Sequence, residues 1–284
     1  MRWIYLNGEM VAAEQASLPA LDRGLLYGYG LFETMRSYGG RVFRLEEHHR
    51  RLEGGAALLA IPVPLALAAL EEAVAATLAR NGLTDARLRL TLTAGPGDGG
   101  APSVVLFAGE VTEYPPEMYE RGTAAIVSEV RRNETSPLAR VKSLNCLDNL
   151  LAREAGRRAG AGEAILLNSR GLVAEGAASN VFLVRDGTLL TPCLEDGALP
   201  GITRQVVLEL AGEEGVKVEE ANVSLPDLLG AEEVFFTNSV MEVMPLVSVD
   251  DKPVGSGRPG PLTGRLARRY RDLVARETAA ARPL

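Results

Sequence analysis

The chain has 284 residues, 46% hydrophobic and 24% charged, an ordinary globular composition long enough for two domains around separate cores. A net charge of −7 disfavours nucleic acid and acidic membrane surfaces, so a small anionic ligand would need a local cluster of donors. Two cysteines (Cys146, Cys193) and two adjacent histidines (His48, His49) offer neither a disulfide framework nor metal-ligand spacing. With no signal-like N-terminal stretch and no spanning apolar run, the expectation is a cytoplasmic protein without membrane segments.

Arg2 to Val11 alternates around Asn7-Gly8, a short hairpin signal. Gly24, Gly28 and Gly30 lack the order of a dinucleotide loop, so Gly28 and Gly30 are read as tight backbone turns beside something bulky. Ser37 to Leu45 reads as a second hairpin around Gly39-Gly40, and Glu46 starts a helix carrying His48, His49, Arg50 and Arg51. A helix is predicted from Pro64 to Asn81, stopped by Gly82, and Ala86 to Thr93 alternates as a half-buried strand. Gly95 to Gly100 is a glycine-rich loop, Ser103 to Val111 a strand, and Glu113-Tyr-Pro115-Pro116-Glu117 the best linker, because paired prolines stop helix and sheet.

In the second half Thr123 to Arg131 is a strand and Leu144 to Ala159 a helix. Asn168 to Gly171 and Arg185-Asp186-Gly187 turn two hairpins. Leu199-Pro-Gly-Ile202-Thr203-Arg204 opens a helix, whose unpaired first amides suit a phosphate. Glu233 to Asn238 is a strand, and Gly264 to Ala275 a helical tail.

The stretch from Lys142 to Asn180 carries the chemistry. Lys142 stands before an apolar run among small and aliphatic neighbours, where desolvation makes its amine a nucleophile; a surface lysine ahead of a helix is the plain alternative. An activated lysine, an arginine-bearing helix, a helix N-terminus and a carboxylate at Glu175 together suit an aldehyde cofactor with a phosphate handle and a basic ring nitrogen, as in pyridoxal 5′-phosphate. Five ordered motifs point the same way: Asp22-Arg-Gly with Gly28 and Phe32-Glu33, His48-x-x-Arg51-Leu52, Lys142-Ser-Leu-Asn145, Glu175-Gly-x-x-Ser179-Asn180, and Leu199-Pro-Gly-Ile-Thr-Arg204. On these the chain resembles, over nearly its whole length, the fold-type IV (class IV) pyridoxal-phosphate enzymes: branched-chain and D-amino-acid aminotransferases and aminodeoxychorismate lyase.

The resemblance implies that Lys142 is the Schiff-base lysine and proton shuttle, and that Glu175 binds the pyridine nitrogen. Arg51, the amides of Ile202 and Thr203, Ser239 and the Val240 amide would hold the phosphate, with Ser179 and Asn180 also counted in the cofactor site. Tyr29, Glu33, Arg87 and Arg89 are candidates on the substrate side, although a solvated strand face accounts equally well for the two arginines. Three positions depart from the family pattern. Cys146 replaces a tyrosine usual in branched-chain aminotransferases, Tyr29 replaces a common aspartate, and Ala94-Gly95 replaces the Arg-Gly by which D-amino-acid aminotransferases hold a carboxylate.

The expected fold is therefore α/β (α+β) in two domains with the cofactor between them: an N-terminal domain over 1–113, a linker over 114–119 and a C-terminal cofactor-binding domain over 120–284. The expected function is amino-group transfer between an amino acid or amine and a 2-oxo acid, by a homodimer, with no metal. Two rivals are a lyase releasing 4-aminobenzoate and pyruvate, and a silent ligand-binding homologue, which would be expected to lose Lys142 or Glu175. Aliphatic residues near the motifs, Leu25, Leu26, Met35 and Met241, favour a partly apolar substrate pocket and hence transfer.

Overall fold

The structure is a computed structural model and describes residues 2–97, 99–111 and 114–279. Asp98 of the glycine-rich loop and Glu113 of the linker lie outside the described residues. The chain forms two compact units: Met1–Thr112 with Val141–Asn145 and Val274–Leu284, and Glu113–Arg140 with Cys146–Leu273.

The first unit contains β1 (Trp3–Leu6), β2 (Glu9–Ala12), α1 (Arg23–Tyr27), β3 (Gly30–Tyr38), β4 (Arg41–Val42), α2 (Leu45–Leu58), α3 (Leu67–Asn81), β5 (Ala86–Thr93) and β6 (Val104–Gly109). Its strands form an antiparallel sheet ordered β2-β1-β6-β5-β3-β4. Asn7 and Gly8 both take positive φ, 50° and 103°, the geometry a two-residue hairpin turn demands. Alternation decides the faces: Leu88, Leu90 and Leu92 of β5 are buried, as are Leu31, Glu33, Met35 and Ser37 of β3, while Arg87, Arg89 and Thr91 are half-exposed. The helix expected from Pro64 begins instead at Leu67, after an extended Ala66. Proline's fixed φ suits an extended lead-in as well as a first helical turn, so sequence alone misplaces that start.

The second unit contains α4 (Pro116–Arg121), β7 (Thr123–Arg132), α5 (Leu147–Arg158), β8 (Glu163–Asn168), β9 (Val173–Gly176), β10 (Asn180–Arg185), β11 (Thr188–Pro192), α6 (Ile202–Glu213), β12 (Val218–Ala221), α7 (Leu225–Leu229), β13 (Glu233–Asn238), β14 (Glu242–Val249), β15 (Lys252–Pro253) and α8 (Pro261–Thr278) up to Leu273, the rest of α8 grouping with the first unit. Its nine-stranded sheet runs β12-β11-β10-β13-β14-β7-β8-β9, with β15 on β14, and mixes parallel and antiparallel pairs. One face buries Val181, Leu183, Val234, Phe236, Met244 and Leu246 in a continuous core. Phe182 and Phe235, opposite one another in register and so pointing to the other face, stack with ring centroids 5.0 Å apart. Pro116, expected to stop a helix, begins α4, where its missing N–H costs nothing. The helix expected from Leu144 starts three residues later, at Leu147, because Ser143 and Leu144 are tied to the start of β3 by an isolated bridge and a backbone hydrogen bond.

Candidate active site

In the first unit, residues 142–144 lie against the start of β3. Phe32 donates its N–H to the Lys142 carbonyl and Leu144 donates to the Gly30 carbonyl, each at 2.9 Å. Ser143 Oγ accepts from the Asn145 amide, and Asn145 Nδ2 donates to the Gly28 carbonyl at 2.8 Å. Gly28 needs its left-handed φ of 64°, and a Cβ on Gly30 would sit 2.5 Å from the Leu92 carbonyl oxygen, so the bulky object beside these glycines is protein backbone and the lysine segment itself. The chain has three lysines; Lys217 and Lys252 are exposed, whereas Lys142 is half-buried. Its Nζ lies 4.6 Å from the centroid of the Phe32 ring, and the Arg89 guanidinium carbon lies 3.9 Å from the same centroid. The strand alternation therefore brings one of the two candidate arginines to the ring that the lysine covers. Arg87 stands opposite Arg36 in register, on the same sheet face.

Behind β3 a buried polar cluster ties that strand to α2. Arg51 donates to Glu33 from Nε (2.8 Å) and from Nη2 (2.5 Å), and His48 Nδ1 lies 2.7 Å from Glu33 Oε2. Burial by itself would raise the Glu33 carboxyl, but the Arg51 charge and the hydrogen bonds from His48 and Arg51 more than reverse that and hold it at about 2. His48 is pushed below its ordinary value, first by burial and further by the positive charges of Arg51 and Lys142, against the pull of Glu33. It is therefore neutral and donates Nδ1–H to an anionic Glu33. Glu33, expected on the substrate side, is 1% exposed and has both oxygens committed inward. Tyr29, expected beside it, donates its hydroxyl to the Leu59 carbonyl at 2.5 Å.

In the second unit, Glu175 is buried on β9. One carboxylate oxygen accepts the Leu199 N–H at 2.9 Å and the other lies 3.4 Å from Arg132 Nε. Arg132, which nothing in the sequence singled out, is held by the Gly197 and Ala139 carbonyls at 3.1 Å each. Asn180 Nδ2 donates to the Leu199 carbonyl at 2.8 Å, and a Cβ on Gly201 would overlap Asn180 Oδ1. The polypeptide therefore runs flush against Asn180 and then turns into α6, whose N-cap Gly201 supplies no side-chain acceptor. The first-turn amides of α6, Ile202 and Thr203 among them, have no acceptor within the helix. Opposite Asn180 in register stands Thr237, 1% exposed, whose buried Oγ1 has no partner among the described residues. An uncapped helix start and an orphaned buried hydroxyl, both beside Asn180, fit an oxygen-rich anion such as a phosphate.

Two expected contacts of the second unit are engaged elsewhere. Ser179 donates its hydroxyl to Glu163 Oε2 at 2.7 Å; burial raises the Glu163 carboxyl against the hydrogen bonds of Ser179, Ala164 and Ala178. The Val240 amide donates to Asn238 Oδ1 at 2.9 Å and the Met241 amide does so at 2.8 Å, so Asn238 closes that turn on itself. Ser239 lies in the same turn, half-exposed. Met35 and Met241, read as pocket-lining, are core residues at 0% and 4% exposure, and Leu25 and Leu26 are largely exposed. Among the described residues no His, Cys, Asp and Glu side chains gather as metal ligands.

Comparison with known proteins places the chain in the pyridoxal-phosphate class and names the family. A family model for class IV amino-transferases matches residues 30–249. A putative branched-chain-amino-acid aminotransferase of Methanocaldococcus jannaschii is 40% identical over 278 residues, covering 95% of this chain and 96% of that protein. A D-alanine aminotransferase of Bacillus licheniformis is 33% identical, covering 97% of this chain and 98% of that one. The crystal structure of the branched-chain amino acid aminotransferase from Thermobaculum terrenum, in its PLP-bound holo-form, superposes with a TM-score of 0.85 at 29% identity, covering 96% of this chain and 94% of that one. The chain belongs to the class IV aminotransferase family. It is a pyridoxal-phosphate-dependent enzyme that moves an amino group between an amino compound and a 2-oxo acid.

Proposed function

We propose that the preferred substrates are L-amino acids with branched aliphatic side chains and their 2-oxo acids, with Lys142 as the catalytic amine and Arg89 as the carboxylate holder. The supporting observation is that Lys142 Nζ and the Arg89 guanidinium share the Phe32 ring. An amino acid's carboxylate is one bond from the carbon whose proton must move, so an arginine fixed near the lysine presents that carbon to the amine. Phe32 adds an apolar surface there, and the relative at 40% identity carries the branched-chain name. The relative named for D-alanine supports the opposite hand less well, since Ala94-Gly95 stands where Arg-Gly would be expected.

Pyridoxal phosphate supplies an aldehyde that links to amines and a ring that draws electrons from the carbon bearing them. On this reading Lys142 carries the covalent attachment and passes the proton, while Glu175, oriented by Leu199 and Arg132, keeps the ring nitrogen protonated. Arg51, the Ile202 and Thr203 amides, Ser239 and the orphaned Thr237 hydroxyl bind the phosphate. Ser179 and Asn180 support the second-unit set from behind through Glu163 and Leu199. We further propose a homodimer, supported by the large apolar side chains exposed on α1 (Leu25, Tyr27) and α5 (Leu147, Leu150, Leu151), acting in the cytoplasm on its metabolite substrates.

The test is a panel of L- and D-amino acids mixed with the purified protein, followed by loss of the cofactor's visible absorption. Valine, leucine and isoleucine of the L series should bleach it fastest, and 2-oxo acids should restore it with ping-pong kinetics. Faster bleaching by D-alanine would reverse the stereochemical assignment. Rapid release of 4-aminobenzoate and pyruvate from aminodeoxychorismate without any acceptor would replace transfer by elimination.

A further inference from the structure

We propose that Glu33 is a positioning residue: its buried carboxylate fixes the orientation of the Arg51 guanidinium with which the chain holds the cofactor's phosphate. The inference rests on the assignment of Arg51 to the phosphate made above. Glu33 occupies a core position of β3, between Leu31 and Met35, where alternation calls for an apolar side chain. A carboxylate at such a position is retained against a large desolvation penalty, and an apolar pair would tie β3 to α2 at no such cost. What the carboxylate adds is orientation. Its two oxygens accept from Nε and Nη2 of Arg51 in a fork, which leaves the planar guanidinium a single direction. His48, neutral and 2% exposed, holds Glu33 Oε2 from a third side at 2.7 Å, so the carboxylate cannot rotate to follow Arg51. Lysine at 51 would offer a point charge with no fork, and glutamine at 33 would present an NH₂ to one arm of the fork.

The experiment measures the affinity of the full-length chain, freed of cofactor, for pyridoxal phosphate and for pyridoxal, which lacks the phosphate. The wild type, Glu33→Gln, Arg51→Gln and the double variant are compared. Arg51→Gln should weaken pyridoxal phosphate by at least about tenfold and leave pyridoxal within about twofold. Glu33→Gln should lower the same ratio by a comparable factor although it touches no part of the cofactor, and the double variant should be no worse than Arg51→Gln alone. General damage to the fold would weaken both ligands together and leave the ratio unchanged. A normal ratio in Glu33→Gln, with a lowered one in Arg51→Gln, would overturn the positioning role and spare the phosphate assignment. A normal ratio in Arg51→Gln would remove the phosphate assignment and the positioning role with it. Should Glu33→Gln not fold, Glu33→Asp, which keeps the charge but withdraws it by one methylene, is judged by the same ratio.

Discussion

Glu175 and Glu33 are both buried acids, and their surroundings separate their tasks. Glu175 accepts the Leu199 amide and lies 3.4 Å from the Arg132 guanidinium, whereas Glu33 is wrapped by a bidentate arginine and a histidine. Glu175→Gln should retain bound cofactor, because the phosphate donors are untouched, yet lose at least about a hundredfold in kcat, since an amide cannot hold a ring nitrogen protonated. Steady-state kinetics beside the cofactor's absorption spectrum checks both halves. Glu33 also makes stability depend on acid. Its folded carboxyl titrates at about 2 against an ordinary 4.5, so its contribution is complete above 4.5 and is lost as pH falls toward 2. The amount is about 3 kcal/mol, at roughly 1.36 kcal/mol per pH unit. His48 acts with the same sign at higher pH: folding keeps it neutral, so stability also declines as pH drops below the ordinary histidine value of 6.5. Urea unfolding between about pH 6 and pH 3 should show a steeper decline for the wild type than for Glu33→Gln, which should be less stable at neutral pH and flatter in acid.

At the scale of elements, the glycines place the chemistry. Gly201 brings the chain flush against Asn180 just before α6, and any side chain there collides with Asn180 Oδ1. Gly201→Ala should therefore displace the helix start and weaken pyridoxal phosphate binding by about tenfold or more, with a stability loss of roughly 1–3 kcal/mol, read by fluorescence titration and thermal unfolding. The hairpins at Asn7-Gly8 and Asp186-Gly187, the alternating β5 and the helix opening at Ile202 were legible in sequence because turn residues and periodicity act locally. The starts of α3 and α5 were not. An extended lead-in after Pro64, and the pairing of residues 143–144 with β3, are set by backbone geometry and by partners far away in sequence. The bonds from the Val240 and Met241 amides to Asn238 Oδ1 were not legible for a related reason, since a motif gives the position of a turn but not which donors its own asparagine engages.

For the whole molecule, the ordered motifs gave the family, because they are spread from Asp22 to Arg204 and together span most of the chain. They did not reveal that Val141–Asn145 groups with the first unit although it follows β7 of the second, since grouping is decided by long-range contacts. Nor did they reveal Arg132, which stands beside Glu175 because of where β7 ends and not through any local pattern. The central claim, that Lys142 is the amine on which the enzyme works, is tested most directly by borohydride reduction of the purified yellow protein followed by peptide mapping. Only three lysines compete for the label, and two of them are exposed. A pyridoxyl group on Lys142, absent from Lys142→Ala, is the predicted result; a label on Lys217 or Lys252 would contradict it.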